Sequence, residues 1–155
     1  SDMAQDMTEA LFQLFEEPVN LLGFSDGGII ALFLAIWYPQ LVRRMILCGA
    51  NYYPGGIKEE GRREMREEYE RSGNPLMTLM LEEPLLTQAD LSRVQCPTCV
   101  LAGQYDIIEE AHTREMAACI PDSHLFILDH EDHTSYVAGN DMLAGLCDEF
   151  FEVRR

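Results

Sequence analysis

Val19-Asn20-Leu21-Leu22-Gly23-Phe24-Ser25-Asp26-Gly27-Gly28, running on into Ile29 to Tyr38 and closed by Pro39, decides the fold. A short apolar run ends in glycine, a turn is built around Ser25, and a nearly all-apolar stretch follows, so the segment reads strand, tight turn, buried helix. A serine between two glycines on such a turn is held with its hydroxyl above the carboxyl end of the sheet. Small residues are needed there because strand and helix backbones approach closely, and Gly23, Gly27 and Gly28 supply the room. The amide of Asp26 opens the helix, points toward the same space and is the candidate donor to an oxyanion. The competing reading is a glycine-rich turn with a helix-capping serine.

Working outward, Met3, Met7, Ala10, Leu11, Leu14 and Phe15 fall at helical spacing until Pro18 stops the pattern, so a helix precedes the strand. After Pro39, Val42 to Cys48 repeats the strand signal and Gly49-Ala50-Asn51 ends it. From Pro54 to Asp90 the composition turns charged and helical. Lys58 to Arg71 is dense in Glu and Arg and is expected to be a solvated helix face, and Leu76 to Leu81 follows Gly73, Asn74 and Pro75. The strand pattern resumes from Thr98 to Gly103, followed by a helix over Glu109 to Cys119, a strand over Leu125 to Asp129 and a last helix over Tyr136 to Phe151. Unalternating apolar runs separated by helices predict an α/β protein with a parallel sheet covered on both faces, a three-layer αβα arrangement. A single domain over residues 1–155, with 54–90 inserted, is expected.

Eleven basic against 27 acidic residues leave a formal net charge of −16, which repels nucleic acid and anionic membrane surfaces; neither is expected as a partner. The longest apolar run is about half of what a membrane span needs, and the N-terminus lacks a signal-peptide layout, so a soluble, cytoplasmic protein is predicted. Five cysteines is an odd number, and Cys48, Cys99 and Cys119 lie in apolar segments, against a disulfide framework. Cys96-Pro97-Thr98-Cys99 has the spacing of a thiol redox pair, yet it enters a strand rather than a helix and is expected to be structural.

A serine hydroxyl becomes a strong nucleophile only when a base takes its proton and an acid holds that base in the right tautomer. Asp106 follows the strand ending at Gly103, and His133 follows the strand ending near Asp129, the chain order Ser, acid, His found in parallel-sheet folds that carry their serine on a strand-turn-helix. His112 lies within a helix and His124 at the foot of a strand, so both are expected to be structural or exposed; His130 is the rival base. His130, Asp132 and His133 could also be read as metal ligands, but nothing else in the chain completes a ligand spacing.

Gly23-Phe24-Ser25-Asp26-Gly27-Gly28, Cys96-Pro97-Thr98-Cys99-Val100-Leu101-Ala102-Gly103-Gln104-Tyr105-Asp106 and His133-Thr134-Ser135-Tyr136 resemble three successive blocks of α/β-hydrolases. The resemblance implies Ser25 as nucleophile, Asp106 as acid, His133 as base and the Asp26 amide as one oxyanion donor, acting on an ester or related acyl bond with no cofactor and no metal. It implies that residues 54–90 form a cap. The Ser-Asp-Gly-Gly form resembles a subgroup that includes amino-acid ester hydrolases, which makes the Asp26 side chain a candidate for holding a substrate ammonium group, with Phe24 as a further candidate substrate contact. Asp132 stands where the family usually has a small residue.

The match extends over the whole chain but corresponds only to the second half of the family's fold. The earlier strands and the His-Gly loop that supplies the second oxyanion donor have no counterpart here. The strand at Val19 is therefore expected to expose an apolar edge, in a fragment of a longer polypeptide or in a chain that completes its sheet through another copy or partner. A truncated domain that keeps the three residues but does not turn over is the competing functional expectation.

Overall fold

Strands buried on both faces should be apolar at every position, and Met45 to Cys48 are completely inaccessible to solvent. The computed structural model describes residues 2–138 and 141–152. Four strands, β1 (Val19–Phe24), β2 (Val42–Cys48), β3 (Thr98–Tyr105) and β4 (Ser123–Asp132), pair in parallel in the order β1-β2-β3-β4. Sequential order with the right-handed crossovers usual between parallel strands places the helices that pack on the sheet between its strands on one face. That face carries α2 (Asp26–Trp37), the short α5 (Gln88–Leu91) and α6 (Glu110–Cys119), with α1 (Asp2–Leu14) packed on α2. Leu32, Leu34, Leu91 and Met116 fill the core between these helices and Met45, Leu47 and Val100. The alternate strand residues Ile46, Cys48, Cys99 and Leu101 face the other way and are covered by Tyr136 and by Leu143, Leu146 and Phe150 of α7 (Met142–Phe150).

The predicted layering is therefore present, with one thick and one thin helical layer. Among the described residues β1 has an unpaired outer edge, with Leu22 exposed, and Phe12 and Leu14 of α1 and the following Phe15 are exposed as well. No helix among the described residues is long and apolar enough to cross a membrane.

Between β2 and β3 the chain forms α3 (Glu59–Ser72) and α4 (Pro75–Glu82) before reaching α5. Gly73 ends α3 in the left-handed conformation, Pro75 opens α4, and the Asn74 side chain caps it by accepting from the Leu76 amide. The charges of α3 pair along its exposed face, Arg62 and Arg66 with Glu59 and Arg63 with Glu67.

Two boundaries depart from the sequence reading. The last helix begins at Met142 rather than Tyr136, because Asp132 folds residues 132–135 into a hydrogen-bonded turn that places Tyr136 in the core without helical backbone; residues 139–140 of the expected helix lie outside the described residues. The last strand is longer than expected, Ser123–Asp132, and slips register between Gly103 and Tyr105 of its partner where His130 takes a left-handed backbone, φ 65°. Cys96 and Cys99 are free and buried, and burial pushes the Cys99 thiol up to about 12, the opposite of what a reactive thiol needs.

Candidate active site

Ser25 stands between β1 and α2 with φ 52° and ψ −121°, a left-handed backbone that few non-glycine residues adopt. Its neighbours make the turn possible. A Cβ on Gly23 would lie 2.3 Å from the Gly27 carbonyl oxygen, and one on Gly28 would lie 2.7 Å from the Ala50 Cβ, so the strand and the helix meet at distances only glycine permits. The turn is tied to the sheet by the Ser25 amide, which donates to the Cys48 carbonyl at 2.8 Å. The Asp26 amide is in the first turn of α2, where amides have no acceptor within the helix.

Asp106 is reached by the loop after β3 and is 1% exposed. Its Oδ1 accepts from the Ile108 amide at 3.0 Å and its Oδ2 from the Gly103 amide at 3.3 Å, which fixes the carboxylate plane. His133 follows β4 and lies between the two. Its Nδ1 is 2.7 Å from Asp106 Oδ1 and its Nε2 is 3.2 Å from Ser25 Oγ. With the proton on Nδ1, the ring donates to the carboxylate and Nε2 is left to accept from the serine hydroxyl. Ser25, Asp106 and His133, the first and last of them 108 positions apart, thus meet at the carboxyl ends of β1, β3 and β4.

The approach of His133 depends on the end of β4. A Cβ on Gly103 would lie 2.4 Å from the Glu131 carbonyl oxygen, so β4 closes over β3 only because residue 103 has no side chain. Asp132 then organises the turn: its Oδ1 accepts from the amides of Thr134 at 2.8 Å and Ser135 at 2.9 Å, which hold its carboxyl below the usual carboxylate range. The atypical residue before the base is accounted for by that turn. His130, the rival base, is exposed, and its amide donates to Gln104 Oε1 at 3.0 Å. His124 is exposed at the foot of β4, opposite Cys99. His112 is buried in α6, where its Nε2 accepts from the Tyr52 amide at 3.1 Å.

A narrow cleft opens at Ser25 between α2 and the helices that follow β2, with Asn51, Met65, Met80 and Glu83 in its wall. Asp26, Ile29, Met80 and Glu83 also border a second, largely apolar cleft reaching Phe33 and Leu79. Asp26 therefore borders the space beside the serine. Phe24 is elsewhere: its ring packs against the His133 imidazole, centroids 4.8 Å apart.

Lys58 is a residue that sequence reasoning placed on a solvated face and that the structure brings to the site. Its Nζ donates to the backbone carbonyl of Asp106, while its amide donates to the Ile107 carbonyl at 2.8 Å. Position 58 carried no signal of this, since a lysine opening a charged helix is ordinary.

Residues 1–66 match the family model described as alpha/beta hydrolase fold. Serine hydrolase BPHL of Mus musculus is 27% identical over 177 residues, an alignment covering 96% of this chain and 60% of that protein. The chain thus spans about 60% of the length of the curated relative it matches. Among solved structures, Rv0554 from Mycobacterium tuberculosis superposes with a TM-score of 0.80 at 15% identity, over 99% of this chain and 72% of the other. A serine hydrolase from the polyaromatic-hydrocarbon-degrading bacterium Cycloclasticus zankles gives 0.78 at 15%, over 96% and 69%.

Proposed function

We propose that this chain belongs to the α/β-hydrolase superfamily, whose family model and relatives it resembles, and that it carries the nucleophile, base and acid of a serine hydrolase acting on carboxylic esters or related acyl bonds. The observation that carries the reading is the continuous relay from Asp106 Oδ1 through the His133 ring to Ser25 Oγ, with spacings of 2.7 and 3.2 Å. In this reading Ser25 Oγ attacks the substrate carbonyl carbon while His133 Nε2 takes the hydroxyl proton. Asp106 holds the resulting imidazolium. The developing oxyanion is met by the Asp26 amide. His133 then gives its proton to the departing alkoxide as the carbonyl–oxygen bond breaks, leaving an acyl-Ser25 ester. A water attacks that ester, again losing a proton to His133, and the carboxylic acid leaves as Ser25 is restored.

The helices α3 and α4 serve as the cap, since Met65 and Met80 wall the cleft at Ser25. Asp26 beside the nucleophile favours substrates bearing an ammonium group. Glu83 on the same wall adds a second carboxylate, and among the described residues no basic side chain borders that cleft. The unpaired edge of β1 favours a second reading in which this chain forms the acyl-serine but turns over only when a further segment or chain supplies a second oxyanion donor; loss of one such donor costs about 10²–10³ in rate.

A fluorophosphonate probe followed by mass spectrometry is the test. Modification is expected on Ser25 and abolished in Ser25→Ala. Folded protein that does not label removes the reading, and labelling without ester turnover selects the second one. Asp26→Asn is expected to slow hydrolysis of a cationic ester at least about tenfold more than that of a neutral ester of equal size, a difference of about 1.4 kcal/mol. Equal losses on both would remove the ammonium contact.

A further inference from the structure

The carboxyl end of β2 contributes no residue to the relay, yet all three of its members converge there. The Ser25 amide donates to the Cys48 carbonyl at 2.8 Å, and the next residue, Gly49, donates its own amide to the Leu101 carbonyl of β3 at 2.8 Å. Gly49 has φ 56° and is buried. A Cβ built on it would lie 2.8 Å from both Cε1 and Nδ1 of His133 and 3.2 Å from Asp106 Oδ2, where ordinary contact begins at 3.4 Å.

We infer that Gly49 is a positioning residue for the base: the bare backbone at the end of β2 is the seat on which the His133 imidazole rests in reach of both Asp106 and Ser25. The proposal rests on the role given above to these three residues and assigns the position that sets their spacing. The carboxylate is anchored by two backbone amides and Ser25 by its turn, whereas the imidazole is held by side-chain contacts, with Phe24, Asp106 and Ser25, and is the group that crowding at position 49 would shift. A methyl group at position 49 would lift it away from Nδ1 contact. A shift of about 1 Å in a catalytic group costs on the order of 10²-fold in rate.

Substituting a glycine with positive φ also strains the backbone, and the fold contains a matched control. Gly73, at the end of α3, has φ 66°, but nothing lies within 4 Å of where its Cβ would be. Gly49→Ala and Gly73→Ala therefore impose similar backbone strain, and only the first crowds His133. The experiment compares both with the wild type by fluorophosphonate labelling rate and by the hydrogen-bonded Nδ1 proton resonance of His133, assigned by its loss in His133→Gln. We expect Gly49→Ala to lose the resonance and to label about 10²-fold more slowly, while Gly73→Ala keeps both. Retention of resonance and rate in Gly49→Ala overturns the proposal.

If Gly49→Ala does not fold, Gly49→Asn takes its place, because asparagine tolerates a left-handed backbone and carries the same Cβ. Failure of both to fold, with Gly73→Ala folded, makes the position structural and likewise overturns the proposal. Wild-type protein that shows the resonance but does not label would remove the hydrolase reading and leave the seat of the imidazole to be judged by the resonance alone.

Discussion

His112 shows how a single buried side chain sets a pH limit on this fold. Its ring stacks on Tyr52 with centroids 4.4 Å apart, its Nε2 accepts from the Tyr52 amide, and its Nδ1 is buried without a partner among the described residues. That environment admits only the neutral ring, and burial lowers its pKa from 6.5 to about 4. The unfolded chain therefore binds a proton below about pH 6.5 that the folded chain refuses until about pH 4. Stability falls as pH drops through that window, by up to about 3 kcal/mol. His112→Gln, which keeps an acceptor for the Tyr52 amide but does not titrate, is expected to flatten the difference between denaturation midpoints measured at pH 7 and pH 5. An unchanged slope would assign the acid sensitivity to other groups.

At the scale of elements, the junction of β1 and α2 is held by contacts between backbones. Because the Gly27 carbonyl that a Cβ on Gly23 would strike cannot rotate away, Gly23→Ala is expected to lower stability by about 1–3 kcal/mol in urea denaturation and to slow labelling of Ser25. This junction was legible in the sequence because glycine spacing and the switch from strand to helix report the same local geometry. Asp106 and His133 were legible for a related reason, since each follows its own apolar strand. The start of α7 was not: Tyr136 and Val137 continue the apolar spacing of the helix, but three hydrogen bonds to the Asp132 carboxylate turn the chain first. Lys58 and Gly49 were hidden for another reason. Their roles exist only between elements distant in sequence, which no periodicity records.

For the molecule as a whole, opposing terms act at the free edge of β1. Exposed Leu22 and the apolar residues of α1 favour association, while a net charge of −16 on every copy opposes it. Salt shortens the reach of that repulsion from about 30 Å at 0.01 M to about 10 Å at 0.1 M. Sedimentation velocity is thus expected to show species larger than 17.6 kDa that increase with ionic strength; a monomer at every salt concentration would mean that the edge is not adhesive. The strand order β1-β2-β3-β4 also has a bearing on how the molecule is made. Each of β2, β3 and β4 can be laid against the strand synthesised just before it, so this part of the sheet can grow on the ribosome in sequence order. Ser25 follows the first of these strands and His133 the last. During synthesis Ser25 would then be present long before His133, and a nascent chain stalled before residue 133 would carry a folded serine turn without its proposed base.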